Sequence, residues 1–450
     1  MDKVKFRLTC VILVIFASSG KGQDNIVLSP LQGYEQRISK YVDSLRIIDT
    51  HEHLFDPRYL KQTNFLDFIL LFQQSGYDDL ISAGMPDTLF NTLFNKPLTP
   101  VQKWKIIEPY WKNSFNTSFN RTILLAFKNL YGITDLNAST VGPLSERIKK
   151  AYNTDWFDRI LRDSCRIDFV IQDGSNIVGK DDYFRYSKRF ESWLTVKSKF
   201  RIDSLAVMQI EPIYTLEDFV KSMRIAFEDA VKKRMAVVKI NIAYKRSLSF
   251  EKTETEAARK IFRSLVNSDE GHVISNKEAS PLQDYMFYQL LDLAGKYRIP
   301  VAFHTGFQAG KGNIIGNSDP TLLTNVFSAY PDINFVLYHG GYPYGGELST
   351  LAKNYPNVHI DMNWVYSISP TYSERYLSEW IETVPVSKLM AFGGDFRCVE
   401  NIYSELKIAR RIISDVLCNK IREGYLSEAE ARTIAKIILY DNAARLYKLK

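Results

Sequence analysis

Two histidines separated by a single residue, His51 and His53, end an apolar segment that begins at Ile47. A short apolar run of this kind predicts a buried β-strand whose carboxyl end opens into a site. Because side chains at positions i and i+2 of a strand share a face, we expect both imidazoles to point one way and Glu52 to point the other way. Two imidazoles about 6–7 Å apart along a strand can bind one ion together. Histidine pairs also occur in loops and half-buried strands, so this pair gains weight only from the rest of the chain.

Further along the chain, residues with suitable chemistry again follow apolar segments. They are Lys239, His304, His339 and Asp395. With the first pair, four of the six histidines of the chain fall at the ends of predicted strands, where chance placement would scatter them. In a barrel of parallel strands these ends form one rim, and the rim carries the reactive groups. The sequence therefore predicts that these side chains meet at one site.

The elements that would position these residues alternate between apolar strands and amphipathic helices. Continuous Val, Ile, Leu and Phe runs separated by such helices predict a parallel sheet covered on both faces. Eight repeats favour closure into a (β/α)8 TIM-type barrel of the α/β class. An open doubly wound sheet is the alternative, and the lack of a glycine-rich phosphate turn after the first strand argues against it. The predicted strands span residues 45–50, 167–172, 204–210, 236–242, 300–304, 334–339, 358–363 and 389–392.

Composition and local pattern divide the chain into four predicted segments. The longest stretch without strand-like alternation follows strand 1, is dense in Phe, Tyr and Trp, and is expected to form a helical cap inserted beside that strand. The segments are a signal peptide over 1–20, an N-terminal helix with strand 1 over 21–53, the helical cap over 54–165, and the rest of the barrel with C-terminal helices over 166–450.

The first twenty residues are read as a secretory signal, since three basic side chains precede an apolar run from Leu8 to Ala17 and small residues follow it. That run is too short to span a bilayer, and no later stretch reaches about 18 apolar residues. We therefore expect an exported protein, periplasmic or extracellular, without a stable membrane span after signal removal. The later cysteines, Cys165, Cys398 and Cys418, have irregular spacings that indicate buried thiols rather than a disulfide framework or a zinc motif.

The bulk composition is that of an ordinary globular protein. The chain has 450 residues, of which 45% are hydrophobic and 24% charged, so a large core can form. The net charge of +7 is scattered without a long Lys/Arg block, which argues against a nucleic-acid partner. The expected partner is a small-molecule substrate, and a homo-oligomer stays open.

Imidazoles and carboxylates without thiolates favour a divalent ion, most of all zinc, with manganese, iron or nickel as alternatives. Three or four protein ligands leave a coordination position for water, whose pKa falls to about 7 and which then attacks as hydroxide. An aspartate beside that water can accept its proton, and a histidine just outside the ligands can polarise a carbonyl or hold an oxyanion. Lys239 either pairs with Asp173 or Glu211, or is carbamylated and bridges two ions. The histidines and Asp395 also have structural readings, as core histidines bonded to carbonyls and as a turn or helix N-cap.

This set of residues resembles the amidohydrolase superfamily, with His51 and His53 on strand 1, His304 on strand 5, His339 on strand 6 and Asp395 on strand 8. The stretches over 304–313 and 337–344 resemble the amidohydrolase-2 (amidohydrolase-related) type, including the domain found fused to glutamine-synthetase-like proteins. The resemblance runs from about residue 40 to the C-terminus, where 441–447 also fits. The helical insertion after strand 1 is similar to that of uronate isomerases in the same superfamily.

The resemblance implies roles for individual residues. Asp395 would bind metal and also shuttle a proton, and His339 would act catalytically from just outside the ligands. Binuclear members often carry a carbamylated lysine on strand 4, near the place of Lys239, so the number of ions, one or two, stays open. The implied metal ligands are His51, His53, His304 and Asp395. The candidates for substrate contact near the strand ends are Gln308, Lys311, Trp364 and Arg397.

Three functions are compatible with these residues. The first is an exported metal-dependent hydrolase in which metal-bound water attacks an amide, ester or lactone of a small polar substrate. The second is a uronate isomerase or a decarboxylase that uses the same site, because these reactions also need a metal and a positioned acid or base. The third is a non-catalytic binding barrel, and the presence of all the rim residues argues against it.

Overall fold

Eight parallel strands follow one another round the molecule in chain order, each paired with the next. The backbone N–H of Thr50 donates to the carbonyl of Phe392, just beyond the eighth strand, at 3.2 Å, so the last edge lies beside the first. The predicted (β/α)8 barrel is therefore confirmed. The computed structural model describes residues 30–174, 182–209 and 211–449, with side chains from residue 33, so the predicted signal peptide lies outside the described residues. The strands are β1 Ile47–Glu52, β2 Ile167–Asp173, β3 Phe184–Arg189, β4 Met235–Ile240, β5 Val301–Phe303, β6 Phe335–Leu337, β7 Val358–Asp361 and β8 Leu389–Met390.

The predicted third strand is wrong. The sequence places it at 204–210, but residues 204–209 lie in the helix Lys199–Gln209, residue 210 lies outside the described residues, and the third strand is Phe184–Arg189. The run Ser-Leu-Ala-Val-Met-Gln is short and apolar, and such a run does not distinguish a strand from a buried helix. Of the helix, Ile202 and Leu205 are buried. The sequence pattern does not indicate β3, because half of its six residues are Arg or Lys. These residues interrupt the apolar run that is typical of a buried strand.

The other seven predicted strands overlap the observed ones, but the last five end earlier than predicted. The strand that was expected to include His304 stops at Phe303, and the one expected to include His339 stops at Leu337. The predicted strands are thus too long at their carboxyl ends, because the pattern of apolar residues continues past the last hydrogen bond between the strands. Site residues of β5 to β8 lie in the turns after the strands.

Helices connect the strands, cover the barrel and fill the chain between β1 and β2. Four of them begin with a capping box, in which a Ser or Thr and the residue three positions later satisfy each other's backbone N–H groups. The helices are α1 Pro30–Ser44, α2 Pro57–Leu60, α3 Ser75–Ser82, α4 Asp87–Asn95, α5 Pro100–Ser114, α6 Ser118–Tyr131, α7 Val141–Tyr152, α8 Trp156–Asp158, α9 Glu191–Leu194, α10 Lys199–Gln209, α11 Leu216–Lys232, α12 Thr255–Val266, α13 Asn276–Tyr297, α14 Thr324–Ala329, α15 Gly345–Asn354, α16 Val365–Ile368, α17 Pro370–Thr383, α18 Val399–Arg422, α19 Glu428–Lys436 and α20 Asn442–Leu446.

The core has two parts, one between the barrel and its helices and one inside the barrel. The inner part is small and is made by alternate residues of the strands, as expected for a packed barrel interior. The C-terminal helix α20 adds Ala443, Leu446 and Tyr447 to the inner part and so closes one end of the barrel. The strand residues of the inner part are Ile48, Ile171, Ala236, Val237, Ala302, Val336 and Met390.

Two further features of the described residues bear on the class of protein. No helix among them is long and apolar enough to cross a membrane. Cys165, Cys398 and Cys418 are free thiols and are buried. Burial raises the pKa of the Cys165 thiol to about 12, so this side chain packs as a small apolar group rather than as a nucleophile.

Candidate metal centre

The carboxyl ends of β1 and β8 bring His51, His53 and Asp395 together. Nε2 of His53 lies 3.0 Å from Oδ1 of Asp395, and Nε2 of His51 lies 3.6 Å from the same oxygen. One ligand atom from each residue lies within 4.8 Å of the other two. Nδ1 of the buried His51 has no hydrogen-bond partner. Two imidazoles and a carboxylate at this spacing form a donor set that fits a single divalent ion such as zinc.

A local irregularity of the backbone positions His51, near the end of β1, and His53, directly after it. The pairing of β1 with β2 shifts register between Asp49 and Glu52, the stretch that contains His51. Such a bulge re-aims a side chain at the end of a strand. Glu52 points to the other side, as the alternation predicts, and its carboxylate accepts the backbone N–H groups of Gly394 at 2.9 Å and Phe396 at 2.7 Å.

Asp395 is held in a backbone conformation that its side chain disfavours. Its φ is +61°, in the left-handed region where residues other than glycine are uncommon. Its N–H donates to the carbonyl of His51 at 2.8 Å, and the clamp from Glu52 holds the residues on either side. A strained conformation of this kind persists only where several surrounding contacts hold it in place. Such conformations are concentrated at functional sites.

His304 and His339 form a hydrogen-bonded pair beside this cluster. Nε2 of His304 donates to the carbonyl of Phe307 at 2.8 Å, and Nδ1 of His304 lies 2.8 Å from Nε2 of His339. Burial lowers the pKa of both imidazoles well below the usual value, so both are neutral at pH 7. Nδ1 of His339 lies 3.7 Å from Oδ2 of Asp395. Since both nitrogens of His304 are engaged with protein atoms, the structure does not bring His304 into the group of candidate ligands, and its ligation would require one of these bonds to open.

Lys239 lies inside the barrel with no hydrogen-bond partner for Nζ. The ammonium sits over the ring of Tyr338, 3.8 Å from its centroid, and the side chain is fully buried. Burial lowers the pKa of Lys239 to about 7. The pairing expected from the sequence is absent among the described residues, because Asp173 pairs with Arg189, and Glu211 pairs with Lys221 at 2.9 Å.

A cavity of about 770 Å³ opens above the cluster and is large enough for a small-molecule substrate. His51, His53 and Asp395 lie in its wall together with His304. Four basic side chains surround the cavity together with the carboxylates of Asp173, Glu191 and Asp395, so the basic residues outnumber the acidic ones by one. These basic residues are Lys188, Arg189, Lys245 and Arg397.

Two of the four predicted substrate contacts line the cavity. Trp364 is buried, with φ +63°, and its ring meets that of His339 edge-on at 5.3 Å. Arg397 donates from Nη1 to Oε1 of Gln73 at 3.2 Å. The other two, Gln308 and Lys311, do not line it, and their contact with a substrate stays a prediction. The Lys311 side chain is 63% exposed and forms an ion pair with Asp87 outside the cavity.

The fourth predicted contact, Gln308, is buried, and neither atom of its amide has a hydrogen-bond partner. The loop after β5 turns its neighbour Ala309 to the cavity instead. Position in the chain close to a strand end does not reveal which side chain of a loop faces inward.

Sequence reasoning missed three residues of the site. Asp173 at the end of β2 lies with Oδ2 3.6 Å from Nδ1 of His53 and pairs with Arg189. Burial acts to raise the pKa of Asp173, but the charges of His53, Arg189 and Lys239 outweigh it and lower the pKa. A carboxylate behind a histidine orients the ring for ligation. Asp173 could have been found from its position at the end of β2. Arg189 could not, because it lies on β3, the strand that the sequence places wrongly.

The third missed residue is Gln74, which precedes α3 and reaches Asp395 with its amide. No sequence pattern indicates it, because it comes from the helical chain between β1 and β2 and not from a strand end.

Comparison with known proteins shows which proteins this chain resembles. Residues 253–449 match the model of the Amidohydrolase family. Among curated relatives, protein fluG of Emericella nidulans is 28% identical over 242 residues, which are 52% of this chain and 28% of that relative. The chain therefore spans only about a quarter of that relative. The uronate isomerase of Sphingopyxis alaskensis is 22% identical over 92% of this chain and 95% of its own length.

Solved structures share the fold along almost the whole chain. The uronate isomerase of Thermotoga maritima superposes with a TM-score of 0.77 at 16% identity, over 92% of this chain and 97% of its own. The glucuronate isomerase of Caulobacter crescentus gives a TM-score of 0.75 at 18% identity, over 96% and 97%. Together with the family match, these findings confirm the resemblance to the amidohydrolase superfamily and to uronate isomerases.

Proposed function

We propose that the protein is a metal-dependent isomerase that interconverts the aldose and ketose forms of a sugar acid, and the match of residues 253–449 to the model of the Amidohydrolase family supports a metal-dependent reaction. The observation that carries the proposal is the relative from Sphingopyxis alaskensis, a uronate isomerase that aligns over 95% of its own length. The alignment thus extends over both ends of the barrel and over the chain between β1 and β2. A hydrolase was the first expectation from the sequence, and it becomes the second candidate.

An ion in this site would be held by His51, His53 and Asp395, and it would polarise the carbonyl and hydroxyl oxygens of the substrate. The isomerisation moves one hydrogen from C2 to C1 and one proton from O2 to O1, so no atom is gained or lost. Such a reaction needs a base that accepts a proton at one carbon and returns it at the next. Oδ2 of Asp395 is suited to this because Oδ1 is the oxygen that faces the two histidines.

The charge of the cavity fits a carboxylate-bearing substrate. Lys188, Arg189, Lys245 and Arg397 lie around it, against the acidic Asp173, Glu191 and Asp395. Arg189 is already neutralised by Asp173, so Lys188, Lys245 and Arg397 face the two remaining carboxylates and leave one positive charge to balance an incoming anion. The neutral imidazole pair of His304 and His339 adds no charge to this balance.

The proposal is tested by incubating the purified protein, loaded with Zn²⁺ or Mn²⁺, with glucuronate and galacturonate. Conversion to a keto acid of unchanged mass, lost in the variant Asp395→Asn, is the expected result. Asparagine keeps the size of the side chain and tolerates a positive φ, so the variant removes the charge and spares the backbone. No conversion of any uronate by the metal-loaded protein would contradict the proposal.

The second candidate is hydrolysis of an amide, ester or lactone. It is favoured by the match to the Amidohydrolase family and by the fold of the putative metal-dependent hydrolase of Lactobacillus casei, with a TM-score of 0.62 at 17% identity. Asp395 would then accept the proton of the attacking water and pass it to the leaving group. Incubation with N-acyl amino acids and sugar lactones separates the two reactions, because hydrolysis adds the mass of one water and isomerisation adds none.

Export remains part of the proposal. The basic, apolar and small-residue order of residues 1–20 supports it. Fractionation of cells that express the full chain, followed by N-terminal sequencing of the mature protein, tests it. A full-length cytoplasmic product would contradict export.

A further inference from the structure

We propose that Gln74 is a positioning residue that fixes the plane of the Asp395 carboxylate, so that one oxygen faces the ion while the other stays available to transfer the proton. The ion-facing part of the proposal rests on the geometry of the cluster. The proton-transfer part rests on the proposed function.

The Gln74 amide makes two contacts with Asp395. Nε2 donates to the main-chain carbonyl of Asp395 and, at 3.1 Å, to its side-chain oxygen Oδ1. Oδ1 is also the oxygen that lies 3.0 Å from Nε2 of His53 and 3.6 Å from Nε2 of His51. The second oxygen, Oδ2, faces His339 instead. The amide and the two candidate metal ligands therefore converge on one oxygen and leave the other available.

The remaining restraints on Asp395 act on its backbone. They are the hydrogen bond to the carbonyl of His51 and the clamp from Glu52 on Gly394 and Phe396. Among the hydrogen bonds of the described residues, the one from Gln74 reaches the side-chain carboxylate from outside the histidines. The terminal torsion of an aspartate is broad and roughly two-fold. Without the Gln74 donor, the plane of the carboxylate can therefore turn away from the orientation in which one oxygen faces His51 and His53 and the other faces His339.

Gln74 is itself fixed, because the chain around it is tied to the rim of the barrel. Its neighbour Gln73 accepts from Arg397 at 3.2 Å, two residues after Asp395. Four residues later, Oδ1 of Asp78 accepts the N–H of Gly310, in the loop after β5, at 2.7 Å. The start of α3 thus spans the site from the loop of β8 to the loop of β5. A donor on a segment held at both sides can orient a ligand to within the tolerance that such sites need.

The test uses Gln74→Met, which keeps the length of the side chain and removes the N–H, and Gln74→Asn, whose amide is too short to reach. Gln62→Met is the control, because Gln62 is exposed in the same part of the chain. We measure Zn²⁺ affinity by competition with a chelator, the visible spectrum of the Co²⁺-loaded protein, and kcat and KM on the substrate. Circular dichroism confirms that each variant is folded.

Loss of a group that orients a ligand typically weakens ion binding or activity about 10–100-fold. We expect a weakening of this size in both Gln74 variants, an altered Co²⁺ spectrum, a fall in kcat with KM little changed, and wild-type behaviour in Gln62→Met. A folded Gln74→Met with wild-type Zn²⁺ affinity and Co²⁺ spectrum would overturn the proposal. If the wild type converts no uronate while the Gln74 variants still lose ion affinity, the positioning role stands and the proposed function fails.

Discussion

Replacing Gly306 with alanine is expected to destabilise the protein much more than replacing Gly310, four residues later in the same loop. Gly306 has φ +71°, and a Cβ on it would lie 2.2 Å from the carbonyl oxygen of Tyr342 and 2.5 Å from the carbonyl carbon of Gly341. Both are backbone atoms, so no side-chain rotation can relieve the contact. Gly310 has φ +88°, and a Cβ there would meet nothing within 4 Å. The two substitutions share the conformational penalty and differ in the clash.

The shared penalty of a left-handed alanine is about 1–2 kcal/mol. At Gly306 the loops after β5 and β6 must also separate by roughly 1 Å, and overpacking of this kind costs a further 1–3 kcal/mol or so. The same two loops are joined by the N–H of Phe307, which donates to the carbonyl of Tyr342 at 2.6 Å. Separation weakens that bond too. We expect Gly306→Ala to lower the free energy of unfolding by about 2–5 kcal/mol, and Gly310→Ala by only the shared penalty of about 1–2 kcal/mol.

Urea denaturation of both variants and the wild type, followed by tryptophan fluorescence, measures the difference. The loop after β6 carries His339, whose Nδ1 lies 3.7 Å from Oδ2 of the candidate ligand Asp395. Gly306→Ala should therefore also weaken Zn²⁺ binding, whereas Gly310→Ala should not. Equal midpoints for the two variants would refute the reasoning, since they would show that the backbone contact at Gly306 costs nothing beyond the left-handed conformation.

Three further outcomes are expected. Asp173→Asn should weaken Zn²⁺ affinity about 10–100-fold, because the carboxylate orients His53, and chelator competition measures it. EDTA should lower the urea midpoint of the metal-loaded protein. For an ion present at 100 times its dissociation constant, the loss in free energy of unfolding is about 2.7 kcal/mol. His53→Ala should show a much smaller effect of EDTA. Burial lowers the pKa of His359 to about 3. The unfolded chain therefore binds a proton below pH 6.5 that the folded protein does not, so stability falls as the pH drops from 6.5 towards 3, by up to about 4 kcal/mol. His359→Gln should remove that part of the acid slope in urea titrations at pH 4 and 7, and an unchanged slope would contradict it.

The fold follows from the sequence to a large extent because parallel strands buried on both faces are continuous apolar runs. That pattern locates seven of the eight strands, β1 among them. It fails at β3, since this strand has Lys188 and Arg189 at the rim and Arg185 over the ring of Phe169. Long basic side chains can lie along apolar surface with their charges at its edge, so a strand of the sheet need not look apolar.

The sequence predicts where the site residues lie better than it predicts the directions of their side chains. That His51, His53 and Asp395 meet is a consequence of topology, because all follow or end strands of one parallel barrel. What topology leaves open is which neighbour in each turn faces inward. Hydrogen bonds formed only in the fold decide it: they engage both nitrogens of His304, and they bring Gln74 to Asp395 from a segment without any strand signal.

The turns after β6, β7 and β8 show why orientation could not be read from the pattern. Each turn places one residue other than glycine in the left-handed region: His339 at φ +64°, Trp364 at +63° and Asp395 at +61°. A strand continued in extended conformation would send alternate side chains outward, whereas one left-handed residue turns the chain and directs its own side chain over the barrel. Each such residue costs about 1–2 kcal/mol, which the rest of the fold must offset. Tight packing around Gly393 and Gly394 does so for Asp395, since a Cβ on Gly394 would lie 2.2 Å from Oε1 of Glu52. The geometry of the candidate metal centre therefore depends on the glycines and buried carboxylates behind it as much as on the ligands. Gly394→Ala should disturb ion binding although it replaces none of the ligands.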